Sequence, residues 1–552
     1  MESATQKLIK HQLEEIQKQL EIQCQGHEQL AVLAIVRALE VSAGIGLSDS
    51  TINNIRLSEE RFYAAYGATS ALKPLLYKIK NLPGPIPWMP ESTEFSKFVY
   101  SYLITCGKLS YLYRLASLER FGLSRTDLTD NGALIEIQSS AVELAQIAAM
   151  KLTKKKPIPK IQNGELLKRQ NKILNKKMMI YVDTANEWFI RYDNDTSIVS
   201  TYRKKAKEYA AQFIEGEALP DHCIIGDRSF KEWKKACEYA LGRILCHIDF
   251  AKALKRKNRN IILGNINTIY ARKEDIEAVW IESGLAPDKV KTTMDALTLR
   301  ADDLDAWDKD FETPSPFYIE YGNDHLLIPC FGSIANPYYA LFRHLRSTYT
   351  LDWDKAVDQR EEVFRNDLSK AFPNSHYFIP KTGFKLRREN NSVLTDVDAV
   401  IIDRHSGAIA LVQLKWHDVF GRSLSQRESR RRNILTANIW VERVHSWING
   451  RSSKDILLQL GISNVTASTN PPNLYVIARY TARFSGELSQ DKRSAWIGWH
   501  EILMLSKHIA KKNRIPNYPK TNEQFQSLFQ NHPVLDKTFT FKNFAIKLKQ
   551  LN

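Results

Sequence analysis

The sequence predicts a multidomain protein in which a mainly α-helical amino-terminal region precedes an α/β domain. Three observations predict this arrangement. The chain has 552 residues, too many for one ordinary hydrophobic core. Its first part carries apolar residues at three- and four-residue spacing, whereas short apolar or alternating runs bounded by turn residues follow residue 375. Hydrophobic residues make up 43% and charged residues 25%, which is typical of globular proteins and excludes disorder.

The elements divide the chain into five segments. Residues 1–150 are predicted to form a helical domain, because segments such as SKFVYSYLITCGKLSYLYRLASL have helical periodicity throughout. Residues 151–177 are lysine-rich and predict a basic linker or an exposed face. A second helical region covers 178–312. Residues 313–350 contain a hairpin, FYIEYGNDHLLIP, and a helix connector, and 351–552 form the predicted α/β domain.

Charge and cysteine usage restrict the partners and the compartment. The formal net charge of +16 favours an acidic partner, with nucleic acid the commonest. The six cysteines include no CxxC pair, so neither a zinc ribbon nor a disulfide framework is indicated and a cytoplasmic location is expected. The amino terminus lacks the apolar core of a signal peptide, and no apolar run is long enough to span a membrane, so we expect no membrane partner.

A hairpin with an unusual polar pattern is predicted in the stretch TDVDAVIIDRHSGAIALVQLKW, residues 395–416. If residues 404–407 form its turn, residue 403 pairs with 408. Counting along the strands then places Asp398 opposite Gln413 and Asp396 opposite Lys415. Side chains that oppose each other directly have β-carbons about 4.5–5.5 Å apart. The pattern therefore predicts a small polar cluster on an otherwise apolar hairpin.

Such a cluster must be paired, bound to a metal or open to a cleft, because an unpaired buried charge is costly. An ion pair of Asp396 with Lys415 and a hydrogen bond from Gln413 to Asp398 would satisfy it without a ligand. Upstream, DKAVDQREEVFRNDLSKAF is predicted to be a helix whose apolar stripe includes Glu361. A glutamate on this face needs a partner, and a metal ion shared with Asp398 would supply one.

This order of elements resembles the PD-(D/E)xK nuclease superfamily, which has the restriction-endonuclease-like fold, in its QxK variant. The matching segments are the helix with Glu361, strands at 376–388, 393–403 and 408–416, and the following helix. The resemblance covers about 355–505 and implies a central mixed β-sheet flanked by helices. Two features depart from the family pattern. No proline precedes the aspartate, and Gln413 replaces an acidic residue.

The resemblance implies a site that binds Mg²⁺ or Mn²⁺. Asp398 would be the main ligand, with Glu361 as a second carboxylate and the backbone carbonyl of Leu414 as a further ligand. Gln413 would offer its amide oxygen without charge, and Lys415 would position or activate the attacking water. Asp396 would orient a neighbouring group or pair with Lys415.

An arginine cluster follows the active strand and suits bidentate contacts with phosphates. Its members begin the next predicted helix and are Arg427, Arg430, Arg431 and Arg432. We interpret them as nucleic-acid-binding residues.

The sequence thus predicts a metal-dependent nuclease that hydrolyses phosphodiester bonds. The resemblance favours DNA over RNA, and restriction, defence or repair are the settings it suggests. A catalytically inactive nuclease-fold module that binds nucleic acid and a helical scaffold are the alternatives. A protein partner or an oligomer is compatible with each of these interpretations.

Overall fold

A computed structural model describes most of the chain. The described residues are 2–48, 55–84, 92–138, 146, 150, 164–186, 189–193, 195–305, 316–330, 336–372, 375–417, 424–462, 465–466, 468–483, 490–503 and 536–550. Within these ranges, the side chains of 43–48, 55–58, 121, 164–168, 185–186, 424–428 and 430–431 lie outside the description.

The amino-terminal region is mainly helical, as predicted, and its described part contains four long helices. They are α1 (Ala4–Gln23), α2 (Glu28–Ser48), α3 (Ile55–Ile79) and α4 (Thr93–Ala116). Helix α1 begins with a capping box, in which Ser3 and Gln6 satisfy each other's backbone amides. Helices α3 and α4 approach closely because Gly67 and Gly107 face one another, where a β-carbon on Gly107 would overlap the carbonyl of Tyr63. The apolar faces of all four helices share one core.

A four-stranded sheet interrupts the region that was predicted to be helical to residue 150. Its strands are β1 (Ser124–Thr129), β2 (Gly132–Ile137), β18 (Asp536–Thr540) and β19 (Ala545–Gln550), in the order β1-β2-β19-β18. Strands β2 and β19 are parallel, and the two outer pairs are antiparallel. Residues 536–550, which fall within the range predicted for the α/β domain, therefore pair with a strand from the first part of the chain.

The middle of the chain is mainly helical, with short strands between its helices. Its helices are α5 (Gly164–Tyr181), α6 (Thr196–Ala210), α7 (Phe230–Lys257), α8 (Leu263–Asn267), α9 (Lys273–Glu282) and α10 (Pro287–Leu297). Two small hairpins are formed by β3 (Val182–Asn186) with β4 (Phe189–Tyr192), and by β5 (Ile224–Ile225) with β6 (Arg228–Ser229). The second helical region predicted from the sequence thus also contains strands.

The hairpin predicted around Gly322 is confirmed. It consists of β9 (Tyr318–Tyr321) and β10 (His325–Ile328), and Gly322 turns the chain with a φ of 69°. This hairpin lies in a sheet of order β7-β10-β9-β8, with β7 at Ile269–Arg272 and β8 at Thr298–Leu299. The connector helices follow as α11 (Tyr339–Thr348) and α12 (Thr350–Asp358).

The carboxyl-terminal part is α/β, with a mixed sheet of order β11-β14-β15-β16-β17. These strands are β11 (Tyr377–Phe378), β14 (Ala399–Asp403), β15 (Ile409–Lys415), β16 (Asn473–Ala478) and β17 (Ala495–Gly498). Strands β14 and β15 are antiparallel, whereas β15, β16 and β17 run parallel. Helix α13 (Arg360–Ala371) packs on one face, and α14 (Leu424–Ile448) with α15 (Ser453–Gln459) packs on the other.

Two strands predicted as continuous are each divided in two. The predicted strand 376–388 forms β11 and β12 (Phe384–Arg387), and the predicted strand 393–403 forms β13 (Val393–Val397) and β14. Among the described residues, strands β12 and β13 pair only with each other, in a separate two-stranded sheet. Asp398 lies at the break between β13 and β14.

In the part of the chain that the structure describes, every helix is too short or too polar to cross a bilayer.

The junction of β2 with β19 gives a stability prediction. Gly132 has a φ of 151°, and a β-carbon there would overlap the carbonyl oxygen of Ala545. We expect Gly132→Ala to lower the free energy of unfolding by about 2–4 kcal/mol, because it adds a backbone clash to an unfavourable φ. Urea unfolding followed by circular dichroism measures the change.

Gly122→Ala is the matched control. Gly122 has a φ of 68°, and no atom lies within 4 Å of the position that a β-carbon would take, so only the backbone conformation is penalised. We expect this variant to lose about 1 kcal/mol. Equal losses in both variants would contradict the close contact between β2 and β19.

Candidate functional site

The predicted register of the hairpin is confirmed. Ile402 pairs with Ile409 and Ala399 with Val412, as a four-residue turn at 404–407 requires. Asp403 closes this turn by accepting hydrogen bonds from the backbone N–H groups of His405 and Ser406 at 2.9 and 3.4 Å. The same count brings Asp398 next to Gln413 at the other end of the hairpin.

Asp398 is the centre of the site, and it is buried at 5% exposure. Its Oδ2 accepts a hydrogen bond from the Gln413 side-chain Nε2 at 2.5 Å and another from the Leu414 backbone N at 2.7 Å. Its own backbone N donates to the Val412 carbonyl at 3.0 Å, which anchors the residue to β15. The predicted contact between Asp398 and Gln413 is therefore formed. Because Asp398 lies in the break between β13 and β14, its carboxylate reaches the backbone of the neighbouring strand β15.

Glu361 reaches the same site from the first turn of α13, although its side chain is 51% exposed rather than buried. Its Oε1 forms an ion pair with Arg365 Nη2 at 2.5 Å, one helical turn later. The guanidinium Nε of Arg365 donates to the backbone carbonyl of Asp398 at 2.5 Å. Arg365 thus connects both carboxylate residues, and it was not singled out from the sequence. The Glu361–Arg365 spacing of four residues was the available signal.

Lys415 ends β15 and is half-buried beside the two carboxylates. Among the described residues, its Nζ forms no hydrogen bond and no ion pair within 4 Å. Burial lowers the pKa of Lys415, and the negative charges of Asp398 and Glu361 act in the opposite direction. Its backbone carbonyl accepts a hydrogen bond from Arg479 N at 2.8 Å, which fixes the strand end.

The electrostatics of Asp398 differ from those of an ordinary surface carboxyl. Burial and, after it, the negative charge of Glu361 raise the pKa of Asp398 to about 6, although the Leu414 N–H, Lys415 and Gln413 act to lower it. Perturbed carboxyl groups of this kind cluster at functional sites, although structural ion-pair networks produce them as well. Keeping Asp398 negatively charged therefore lowers the stability of the folded protein.

Asp396 lies outside this cluster. It pairs with Lys385 in the β12–β13 ladder, and its side chain is exposed. Its carbonyl accepts a hydrogen bond from the Trp440 indole N at 2.6 Å. The predicted position opposite Lys415 is wrong, because β13 leaves the main sheet before that pairing forms.

The arginine cluster is only partly described. All four residues lie in the first half of α14, the helix that follows β15 in the chain. The side chain of Arg432 is exposed. The side chains of Arg427, Arg430 and Arg431 are not among the described side chains, so their phosphate contacts stay a prediction.

Aromatic and charged residues pack between α13 and the ends of the parallel strands, next to the site. Arg479, at the end of β16, lies over the Trp416 ring at 4.6 Å and forms an ion pair with Asp367 of α13 at 2.8 Å. Phe364 packs edge-on against both Trp416 and Trp499. These contacts hold α13, which carries Glu361 and Arg365, against the ends of the parallel strands.

The donor atoms present fit a hard divalent cation. Asp398 Oδ1 accepts no hydrogen bond within the described structure, and the Gln413 amide oxygen is left over because its nitrogen donates to Asp398. The N–H of Leu414 points at Asp398, and in a strand the carbonyl of the same residue points to the same side. Among the described residues, no group of three or more His, Cys, Asp and Glu side chains lies close enough to hold a metal ion. Mg²⁺ tolerates such a set because it usually binds few carboxylates and keeps several waters.

Comparison of the chain with protein-family models, with curated proteins and with solved structures finds no match. The site therefore has to be interpreted from its own geometry.

The raised pKa of Asp398 predicts a pH-dependent effect on stability. An aspartate has a pKa of about 3.9 in the unfolded chain. Because the folded pKa is higher, the folded state binds more protons than the unfolded state between these two pKa values. Asp398 therefore does not lower the free energy of unfolding below about pH 4, and it lowers that free energy by its full amount above about pH 6. In EDTA at pH 8, we expect Asp398→Asn to be more stable than the wild type by about 1–3 kcal/mol, with no gain at pH 4. Urea unfolding at both pH values measures this difference.

Asp403→Asn is the control with the opposite sign. Burial acts to raise the pKa of Asp403, but the hydrogen bonds from His405 N and Ser406 together outweigh it and lower the pKa. Its stabilising contribution is present above the unfolded pKa and is lost as the pH falls through the lowered folded value. Asp403→Asn should therefore be less stable than the wild type at pH 8. The assignment fails if both variants shift stability in the same direction.

Proposed function

We propose that this protein is a metal-dependent nuclease that hydrolyses phosphodiester bonds, with DNA as the substrate. The observation that carries this proposal is the constellation at the end of β15. A buried carboxylate with one unengaged oxygen lies beside a second carboxylate and a lysine that has no anionic partner within 4 Å in the described structure. An ordinary ion-pair network would instead be expected to pair this lysine with the nearest carboxylate.

Each side chain has a distinct role in this proposal. Asp398, Glu361, the Gln413 amide oxygen and the Leu414 carbonyl would hold Mg²⁺ or Mn²⁺. When bound, such an ion neutralises charge on a phosphate and lowers the pKa of a coordinated water. Lys415 would hold the attacking water and stabilise the negative charge that develops on the phosphate. Arg365 would keep Glu361 and the backbone of Asp398 in position.

Charge and composition support a nucleic-acid substrate. The net charge of +16 attracts a polyanion, and α14 brings arginines close in sequence to the proposed catalytic strand. The preference for DNA, and restriction, defence or repair as the setting, rest on the resemblance to the nuclease superfamily alone. All six cysteines are buried free thiols, which supports the proposed cytoplasmic location.

The second candidate is an inactive nuclease-like module that still binds nucleic acid. One observation favours it. The two acidic residues Glu361 and Asp398 are matched in number by the two basic residues Arg365 and Lys415. The charges of these side chains therefore balance without a bound metal ion. Binding of a divalent cation distinguishes the two candidates.

Metal binding predicts a change in thermal stability that does not depend on catalysis. A ligand that binds only the folded state stabilises it by about 2.7 kcal/mol at a concentration of 100 times Kd. We expect Mn²⁺ to raise the Tm of the wild type relative to EDTA, and to raise that of Asp398→Asn much less. Differential scanning fluorimetry measures both shifts, with Asp403→Asn expected to respond like the wild type. Indistinguishable shifts in all three proteins would count against the metal site.

Cleavage of nucleic acid tests the proposed reaction directly. Plasmid, linear duplex, single-stranded DNA and RNA are incubated with the purified full-length protein in Mg²⁺, Mn²⁺ or EDTA. We expect metal-dependent cleavage of DNA that falls by about 100-fold or more in Asp398→Asn and Lys415→Ala, because each removes a group that acts on the reacting phosphate. Product formation is followed by gel electrophoresis.

The controls for this assay are Asp403→Asn and Lys381→Ala. Asp403 lies at the opposite end of β14, and Lys381 is exposed in the loop before β12. Both should cleave like the wild type. If metal-bound wild-type protein cuts none of the four substrates yet still binds DNA, the inactive module is favoured instead.

A further inference from the structure

A pocket of about 690 Å³ lies in the helical middle of the chain, away from the residues of the proposed nuclease site. Three stretches of chain enclose it: helix α6, helix α7 with the residue before its cap, and the segment from the end of α9 into α10. Its volume is within the range of small-molecule sites in proteins. Nothing in the proposed phosphodiester chemistry uses it.

The floor of this pocket is aromatic. Trp280 is buried, Tyr239 is half-buried, and their ring centroids are 4.9 Å apart at an angle of 50°. The Tyr239 hydroxyl donates to the Val279 carbonyl at 3.3 Å, which orients the ring. Ala236 adds a small apolar surface between them. A planar ring system fits such a surface because stacking on an aromatic ring is favourable and needs few specific hydrogen bonds.

The rim is cationic. Arg203, Lys204 and Lys207 project from α6, and Lys235 projects from α7 on the other side. All four are exposed, and none forms an ion pair within 4 Å in the part of the chain that is described. The Arg203 guanidinium lies over the Tyr239 ring, 5.3 Å from its centroid. Exposed lysines on one helix are usually only solvated, but here cations from two helices converge above one aromatic floor. This convergence selects a ligand with negative charge.

The acidic residues of the pocket do not cancel this charge. Glu232 closes the capping box of α7 with Ser229 and lies 3.6 Å from Lys289. Arg228, which is buried, is matched by Asp227 at 2.8 Å. Glu238 is then the one remaining carboxylate among the lining residues, against four rim cations. It is half-buried, and its carboxylate oxygens can accept hydrogen bonds from ligand hydroxyl or amino groups.

We propose that this pocket binds a nucleoside phosphate, with the base against the Tyr239 ring and the Arg203 guanidinium that lies over it, and the phosphate groups among Lys204, Lys207 and Lys235. Ribose hydroxyls or base amino groups then lie within reach of Glu238. A small aromatic surface with a few cations around it matches a single nucleotide better than a continuous strand, which needs an extended cationic path along its backbone. The protein thereby gains a site for a small ligand besides the proposed nuclease site.

Isothermal titration calorimetry of the full-length protein in EDTA tests this inference, because EDTA removes metal binding at the nuclease site. The titrants are AMP, ATP, inorganic tripolyphosphate and a short single-stranded DNA oligonucleotide. We expect saturable binding of ATP, and binding of tripolyphosphate that is about tenfold weaker because it lacks the base. The variant Asp398→Asn should bind ATP like the wild type, which separates this site from the nuclease proposal.

Two sets of variants distinguish the rim from the floor. Lys207→Glu combined with Lys235→Glu should weaken ATP by about tenfold or more, and the corresponding pair of alanine substitutions should weaken it less. Lys7→Glu combined with Lys10→Glu changes the net charge equally on exposed positions of α1 and should have no effect. Tyr239→Leu should weaken ATP but not tripolyphosphate, whereas Tyr239→Phe keeps the ring and should bind normally. Circular dichroism confirms that each variant is folded.

The opposite results are equally specific. Absence of ATP and AMP binding at about 1 mM would overturn the proposal, as would equal binding by the rim variant and the α1 control. Binding of the oligonucleotide without ATP would identify a strand-binding surface instead. Equal affinity for ATP and tripolyphosphate, unchanged in Tyr239→Leu, would reduce the pocket to an adventitious polyanion site and overturn the nucleoside assignment.

Discussion

The burial of the Asp398 carboxylate is the constraint on which the candidate site depends. A charged carboxyl group loses much of its hydration when it is buried, and the folded chain compensates only in part. One of its oxygens receives two N–H donors, from Leu414 and Gln413. The raised pKa records the remaining cost. A neutral residue in place of Asp398 would remove this cost. A role in the function of the protein therefore explains the buried carboxylate better than a role in stability.

The fold creates this burial through a sheet that is covered on both faces. Alternate residues of β14 and β15 pack against α14 on one side and against α13 on the other. Where β13 turns away to pair with β12, the main sheet loses one partner strand and the Leu414 N–H is left without a backbone acceptor. The Asp398 side chain replaces that missing strand by accepting from Leu414. Helix α13 then completes the site, since Arg365 binds the Asp398 carbonyl. The polar cluster is therefore a consequence of how one strand ends.

Local patterns in the sequence were enough to predict the hairpin register and its polar cluster. The period of two along each strand and the length of the turn at 404–407 determine which residues oppose one another, and both are properties of adjacent residues. The helix carrying Glu361 followed from its apolar spacing for the same reason. Asp396 was misplaced because the departure of β13 depends on its pairing with β12, which no periodicity within β13 reports.

Features that depend on distant parts of the chain were missed. Strands β1 and β2 have little apolar alternation of their own and exist in a sheet with β18 and β19, about 400 residues later. The role of Arg365 was likewise hidden, since an arginine on a helix is usually a solvated residue until a strand carbonyl is brought against it. The aromatic pocket at Tyr239 and Trp280 is assembled by three separate stretches of chain and has no linear motif.

The charge balance of the site determines how its two interpretations differ. Arg365 is committed on both sides, to Glu361 and to the Asp398 carbonyl, so it behaves as a fixed structural cation. Lys415 is different, because burial lowers its pKa while no carboxylate lies within 4 Å of its Nζ in the described structure. A cluster that existed only for stability would be expected to form a hydrogen-bonded ion pair at this position. Under the proposed function, a hydrated cation and a phosphate would lie between Lys415 and the nearest carboxylates, where both signs of charge would stabilise them.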